Sequence, residues 1–189
     1  MQKFNTRKMV LCAIFSAIIV AFTVVPYTGY INYAGVIEIT TLHIVVILGA
    51  IALGWKYGAF LGGVWGVTCV LRALTNPLWY PFINPLISLV PRILVGLVAG
   101  LVFAALRKKT TLISSATVAA LAGSLTNTVL VLTALNLFSD MVQWDFFEQF
   151  KQFFVAIVSI NGGIELLAAL IIAPALANAI LGQVDKAKG

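Results

Sequence analysis

PRILVGLVAGLVFAALRKK, residues 91–109, decides how this chain is read. A run of about 20 apolar residues can cross the ~30 Å hydrocarbon core of a bilayer as one helix. Arg107, Lys108 and Lys109 close the run with a basic cluster of the kind that stays on the cytoplasmic side. Arg92 sits inside it, immediately after Pro91. A charge placed there is costly, so it faces the bundle interior, pairs with another group, or meets a ligand. Asn127, Asn161 and Glu165 raise the same question in two later apolar runs.

The whole chain repeats that texture. Its 189 residues are 61% hydrophobic and 10% charged, with a mean hydropathy of +1.06. A soluble domain cannot hide so much apolar surface, so the composition points to an integral membrane protein. We read an all-α membrane protein of one domain, residues 1–189, a compact bundle of six transmembrane helices. The spans run over about 9–25, 42–53, 57–74, 86–106, 112–137 and 153–181. The N-terminal run is long and lacks a small-residue cleavage site, so it reads as a first span rather than a signal peptide. Residues 27–41 form an aromatic, turn-rich loop. Residues 75–91 carry four of the six prolines and make a stiff, ordered one.

Charge orients the bundle. Lys3, Arg7, Lys8, Lys56, Arg107, Lys108, Lys109, Lys186 and Lys188, nine of the twelve basic residues, fall on one side. Glu38, Asp140, Asp145 and Glu148 fall on the other, with Lys151 and Arg72. Both termini are therefore expected in the cytoplasm. The net charge of +6 is spread along ends and loops and does not argue for nucleic acid. Cys12 and Cys69 lie in separate apolar runs and do not read as a disulfide. With a single histidine, no metal cluster is expected, and no cofactor.

Small residues mark close helix contacts. Ala13, Ala17 and Ala21 form one stripe on span 1, where spacing alone favours packing inside the bundle. Gly54, Gly58, Gly62 and Gly66 recur at intervals of four, and Gly96 and Gly100 repeat the pattern on span 4. These read as tight contacts within the bundle.

At 1.5 Å rise per residue, Arg92, Asn127 and Asn161 all lie on the order of 10–15 Å below the outer surface. Glu165 is one turn deeper than Asn161 on the same face. An apolar wall with a few placed polar groups suits a small-molecule pocket opening outward. Each residue also has a plainer role. Arg92 and Glu165 can pair as a structural bridge, and Asn127 can be a simple interhelical hydrogen bond. Asn161 lies beside Gly162 and Gly163, which let a ligand or a neighbouring backbone come close. Trp65 is either a stacking surface or core. His43 is either a hydrogen-bonded helix-end residue or part of the pocket. Trp79, Tyr80 and Trp144 serve the pocket rim or the interfacial belt.

Several chemistries are missing. There is no phosphate-binding G-x-x-x-x-G-K-[ST], no G-x-S-x-G and no H-E-x-x-H. No half-length repeat stands out. An enzyme is not expected. A stand-alone secondary transporter using Arg92 and Glu165 as a charge relay is the competing reading. An outward pocket without an energy source points to a subunit that binds solute and borrows its motor.

The chain resembles the substrate-binding S components of energy-coupling factor (ECF) vitamin transporters. The resemblance rests on the six spans, the Ala13/Ala17/Ala21 stripe and Ser159-Ile-Asn161-Gly162. Residues 39–44, 48–54 and 56–62 look most like the pantothenate branch. The resemblance implies a bacterial cell-membrane protein that binds a water-soluble vitamin near its outer face, under the loops after spans 1, 3 and 5. It implies that Ala13, Ala17 and Ala21 dock a transmembrane coupling subunit, itself joined to two cytoplasmic ATPases. Pantothenate has a carboxylate, an amide and hydroxyls. Arg92 would clamp the carboxylate, and Asn127 and Asn161 would serve the amide and hydroxyls. If Glu165 instead neutralises Arg92, a neutral, pyridoxine-like vitamin fits better.

Overall fold

A computed structural model describes residues 6–33, 37–75, 77–138 and 145–186. Six helices carry the fold: α1 Thr6–Val24, α2 Leu42–Leu53, α3 Trp55–Ala73, α4 Pro85–Leu106, α5 Leu112–Leu137 and α6 Asp145–Lys186. Four of these helices include stretches long and apolar enough to cross a membrane: Thr6–Val24, Pro85–Leu106, Leu112–Leu135 and Gly162–Leu181. α2 is apolar but short, and α3 carries Lys56 and Arg72 near its two ends.

Two features depart from the expected all-α bundle. The aromatic loop after α1 contains an antiparallel hairpin, β1 Tyr30–Tyr33 with β2 Ile37–Thr40, in which Tyr30 pairs with Thr40. Part of the proline-rich loop is wound into a 3-10 helix, Pro77–Ile83. In addition, α6 begins at Asp145, earlier than the span expected from 153.

Helix starts and turns follow local chemistry. Asn84 accepts a hydrogen bond from the Leu86 backbone N–H at 3.0 Å, and Pro85 fills the first helical position of α4. Thr111 caps α5 in the same way through Ser114 N–H at 3.2 Å. Gly54 has φ 105°, which lets α2 turn straight into α3. Gly54 is therefore a turn residue and not the first member of the α3 glycine row.

The rest of that row works as read. A Cβ on Gly58 would strike the Gly96 carbonyl, one on Gly62 the Arg92 carbonyl, and one on Gly66 the Leu89 backbone. Gly100 sits equally tight on Trp55. α3 and α4 thus meet backbone to backbone along their length, the closest approach small residues allow.

The buried core divides in two along α4 and α5. The larger cluster includes Leu42, Ile47, Leu61, Trp65, Val95, Ala99, Ala116, Ala120 and Ala169. A smaller one, Ile87, Val131, Ala134 and Leu135, packs with Trp79 and Phe82 at the hairpin end. Arg92 falls between Ile87 and Val95 on α4. Ser124 and Asn127 fall between Ala120 and Val131 on α5. On α4 and α5 these polar residues fall where the two clusters adjoin.

α1 is the least embedded helix. Only Cys12 and Ile19 are buried among its described residues, and Ala13, Ala17 and Ala21 are exposed. The alanine stripe therefore does not pack inside the bundle.

Candidate functional site

Pro91 prepares the position of Arg92. A proline has no N–H, so the Ile87 carbonyl one turn earlier loses its helical partner. Arg92 Nη1 donates to that carbonyl at 2.8 Å. The side chain is thereby bent back toward the hairpin end of α4. Its guanidinium lies 5.2 Å from the centre of the Trp65 ring and 5.5 Å from that of Phe82. Arg92 is 6% exposed, and its Nε has no protein partner.

The structural bridge that Arg92 and Glu165 could form is not made. The ion pair among the described residues joins Arg72 and Glu38. Glu165 Oε1 instead accepts the Thr40 backbone N–H at 2.7 Å, at the end of β2. The physical reason is competition: the hairpin brings a strand-end N–H directly to the carboxylate, while the freed Ile87 carbonyl takes one prong of the guanidinium. Arg92 remains within electrostatic reach of Glu165 and of Tyr30 without touching either.

Glu165 also connects the hairpin to α2, since its own carbonyl lies 3.2 Å from His43 Nε2. His43 is fully buried near the start of α2, and its Nδ1 has no partner. Replacing Glu165 with alanine should release Thr40, whereas glutamine should hold it through its amide oxygen. A hydrogen bond to a charged acceptor is worth ~1.5–3 kcal/mol. Exchange at the Thr40 amide should then quicken roughly tenfold or more in E165A and little in E165Q. Equal exchange in both variants would mean that the carboxylate does not hold the hairpin.

The hairpin is fastened at two further points. Arg72 Nη1 donates to Glu38 Oε2 at 2.7 Å and Nη2 to Oε1, a two-pronged pair. The same guanidinium lies 4.1 Å from the Tyr30 ring centre and 5.8 Å from that of Trp79. The Tyr30 hydroxyl accepts from Trp65 Nε1 at 3.2 Å and lies 3.0 Å from Cys69 Sγ. Burial pushes the Tyr30 phenol well above its ordinary range, so it stays protonated. Trp65 is fully buried core, and the Arg92 guanidinium lies over its ring.

The remaining predicted residues divide. Asn127 is 7% exposed on α5, and its Oδ1 is unpartnered. Gly123, one turn before it, touches Ile47 and Ala99, so this face of α5 looks onto α2 and α4. Trp79 packs on Phe82 with ring centres 5.8 Å apart, and its Nε1 is buried without a partner. Tyr80 is 49% exposed on the 3-10 helix. The side chain of Asn161 lies outside the described residues, as does Trp144. Gly162 allows close approach of Thr128, and a Cβ on Gly163 would meet nothing within 4 Å.

Sequence reading passed over Ser124, which is 3% exposed with an unpartnered Oγ. Its spacing of three from Asn127 was an available signal. Together, His43, Arg92, Ser124 and Asn127 hold buried, unsatisfied polar atoms among apolar side chains of α2, α4 and α5. Such a set of groups can take a small polar molecule.

Comparison with known proteins gives concordant results. A family model for the ECF transporter, substrate-specific component, matches residues 7–177. The pantothenic acid transporter PanT of Lactococcus lactis subsp. cremoris is 33% identical over 198 residues, 95% of this chain and 96% of its own. The pantothenate transporter PanT of Leuconostoc mesenteroides subsp. mesenteroides is 30% identical over 200 residues, covering 99% and 98% respectively.

Proposed function

The chain belongs to the substrate-specific components of ECF transporters, and from that membership we propose that it is a membrane subunit that binds pantothenate for uptake. The observation that carries the choice of ligand is Arg92. It is buried, with one prong anchored on Ile87 and Nε open, and among the described residues no carboxylate pairs with it. A buried cation left in that state suits an anionic ligand. The absence of an Arg92–Glu165 pair speaks against a neutral vitamin. The relatives named as pantothenate transporters support the same choice.

The ligand enters from the hairpin end, which the distribution of basic residues assigns to the outside. The bundle then crosses the bacterial cell membrane, with both termini in the cytoplasm. Arg92 takes the carboxylate, and Asn127, with Asn161, takes the amide and hydroxyls. Trp79 and His43 contribute their free nitrogens, and Trp65 supports the clamp from below. The hairpin fastened by Arg72 and Glu165 covers the bound molecule. The subunit itself carries out no reaction. Energy comes from two ATPases through a transmembrane coupling subunit.

Calorimetry on the purified chain tests this directly. Saturable, tight binding of pantothenate and not of neutral vitamins is the expected result. A response to a neutral vitamin alone would overturn the choice of ligand.

The exposed alanine stripe of α1 is the docking face for the coupling subunit. Replacing Ala17 with tryptophan should block co-purification with that subunit and abolish uptake, while pantothenate binding by the isolated chain is unchanged. Loss of vitamin binding in A17W would place the stripe in the bundle core instead.

A further inference from the structure

Arg92, Ser124 and Asn127 are each at least nine-tenths buried, and each keeps a side-chain atom without a protein partner. Ser124 is the most informative of the three. Ser115, Thr117, Thr126 and Thr133, on the same helix, all donate to the carbonyl four residues back, at 2.7 to 2.9 Å. The Ala120 carbonyl offers Ser124 the same bond, and it is not made. A buried hydroxyl that forgoes its own backbone calls for a partner from outside the chain.

The three groups also lie in order along the bundle axis. Gly123 packs on Ala99, so the Ser124 turn is level with Ala99. Arg92 is seven residues closer to the hairpin end of α4, on the order of 10 Å at 1.5 Å per residue. Its guanidinium turns further that way, toward Ile87. Asn127, three residues from Ser124 on the same face, falls between them. An extended chain covers ~3.5 Å per three bonds, so the roughly nine bonds from a carboxylate oxygen of pantothenate to its terminal hydroxyl span ~11 Å.

We propose that the ligand lies lengthwise along the bundle, its carboxylate on Arg92 beneath the hairpin and its terminal hydroxyl on Ser124 at the deep end. This orientation rests on the pantothenate reading above. It makes Ser124 the residue that reads the alcohol end, and Asn127 the one beside the amide and the secondary hydroxyl. It also sets a length requirement. A short acid such as β-alanine reaches Arg92 but not Ser124, and binds weakly.

The test is a binding cycle on the full chain, by calorimetry. It uses pantothenate, its analogue with hydrogen in place of the terminal hydroxyl, and its analogue with an alcohol in place of the carboxylate. Wild-type protein should bind the deoxy analogue about tenfold more weakly than pantothenate. Ser124→Ala should lose about the same factor with pantothenate and nothing further with the deoxy analogue. Its penalty should persist with the carboxylate-free analogue. Ser124→Thr, which keeps the hydroxyl, should retain more of the affinity than Ser124→Ala. A Ser124→Ala penalty that is undiminished with the deoxy analogue, or that vanishes with the carboxylate-free one, overturns the orientation and leaves pantothenate as the ligand. Wild-type protein that binds no pantothenate removes both readings at once.

Discussion

Arg92→Ala is expected to weaken pantothenate binding by roughly 100-fold, the largest effect of any side chain in the site. Removing one partner of a buried, hydrogen-bonded charge pair costs ~2–5 kcal/mol, and each 1.4 kcal/mol is a factor of ten. Arg92 fits that description because its burial leaves little water to replace the missing guanidinium. Arg92→Lys keeps the charge and loses the fork, so it should fall between the two. Calorimetry on protein that still elutes as a single species measures all three. Wild-type affinity in R92A would move the carboxylate to another part of the site.

Pro91→Ala returns an N–H to the Ile87 carbonyl and so removes the anchor that bends Arg92 toward Trp65 and Phe82. Helix stability should rise while pantothenate affinity falls several-fold. A kink with only a structural role would lower neither affinity nor selectivity for the carboxylate. Comparing the carboxylate-free analogue in P91A and wild type separates these outcomes, since its affinity should be little changed.

Gly96→Leu should prevent the chain from accumulating as folded protein. A Cβ at Gly96 would occupy the place of the Gly58 backbone, and Gly58 meets the Gly96 carbonyl in return. Neither contact is the end of a flexible side chain, so the helices themselves must separate. Overpacking a core costs ~1–3 kcal/mol and can exceed that, and here the shift would also open the neighbouring contacts at Gly62 and Gly100. The Arg92 carbonyl packs on Gly62, so the same displacement would disturb the site. Gly163→Ala is the useful contrast. Nothing lies within 4 Å of its Cβ, and replacing a helical glycine with alanine gains up to ~1 kcal/mol. Thermal unfolding in detergent should show G96L failing and G163A at or above wild type. A G96L protein that melts like wild type would mean that the α3–α4 seam is not close-packed.

Hydropathy alone located the helices, because crossing or lining a hydrocarbon layer demands a continuous apolar run that each segment carries by itself. The start of α2 at Leu42 and of α5 at Leu112 were legible for that reason. The same cost singled out Arg92, Asn127 and Glu165 as residues that must have partners. It could not say which partners. Glu165 meets Thr40 across 125 residues of chain, and Arg72 meets Glu38 across 34. No local period encodes such pairings. The hairpin is too short to show a strand alternation, and Tyr30–Tyr33 reads equally well as an aromatic loop.

The tertiary structure alone decided which hydroxyl stays unpaired. Ser124 differs from Thr126 and Ser115 by nothing in the local sequence, since each has a carbonyl four residues behind it. Only packing against α2 and α4 sets how it is oriented. The sequence by itself determined that this chain lives in a bilayer and that polar groups inside it need partners, because both follow from the cost of leaving water. Which of those groups partner one another, and which are left open for a ligand, is a matter of helix register and approach. Those are fixed by the glycine seam and the folded hairpin, not by any single stretch of residues.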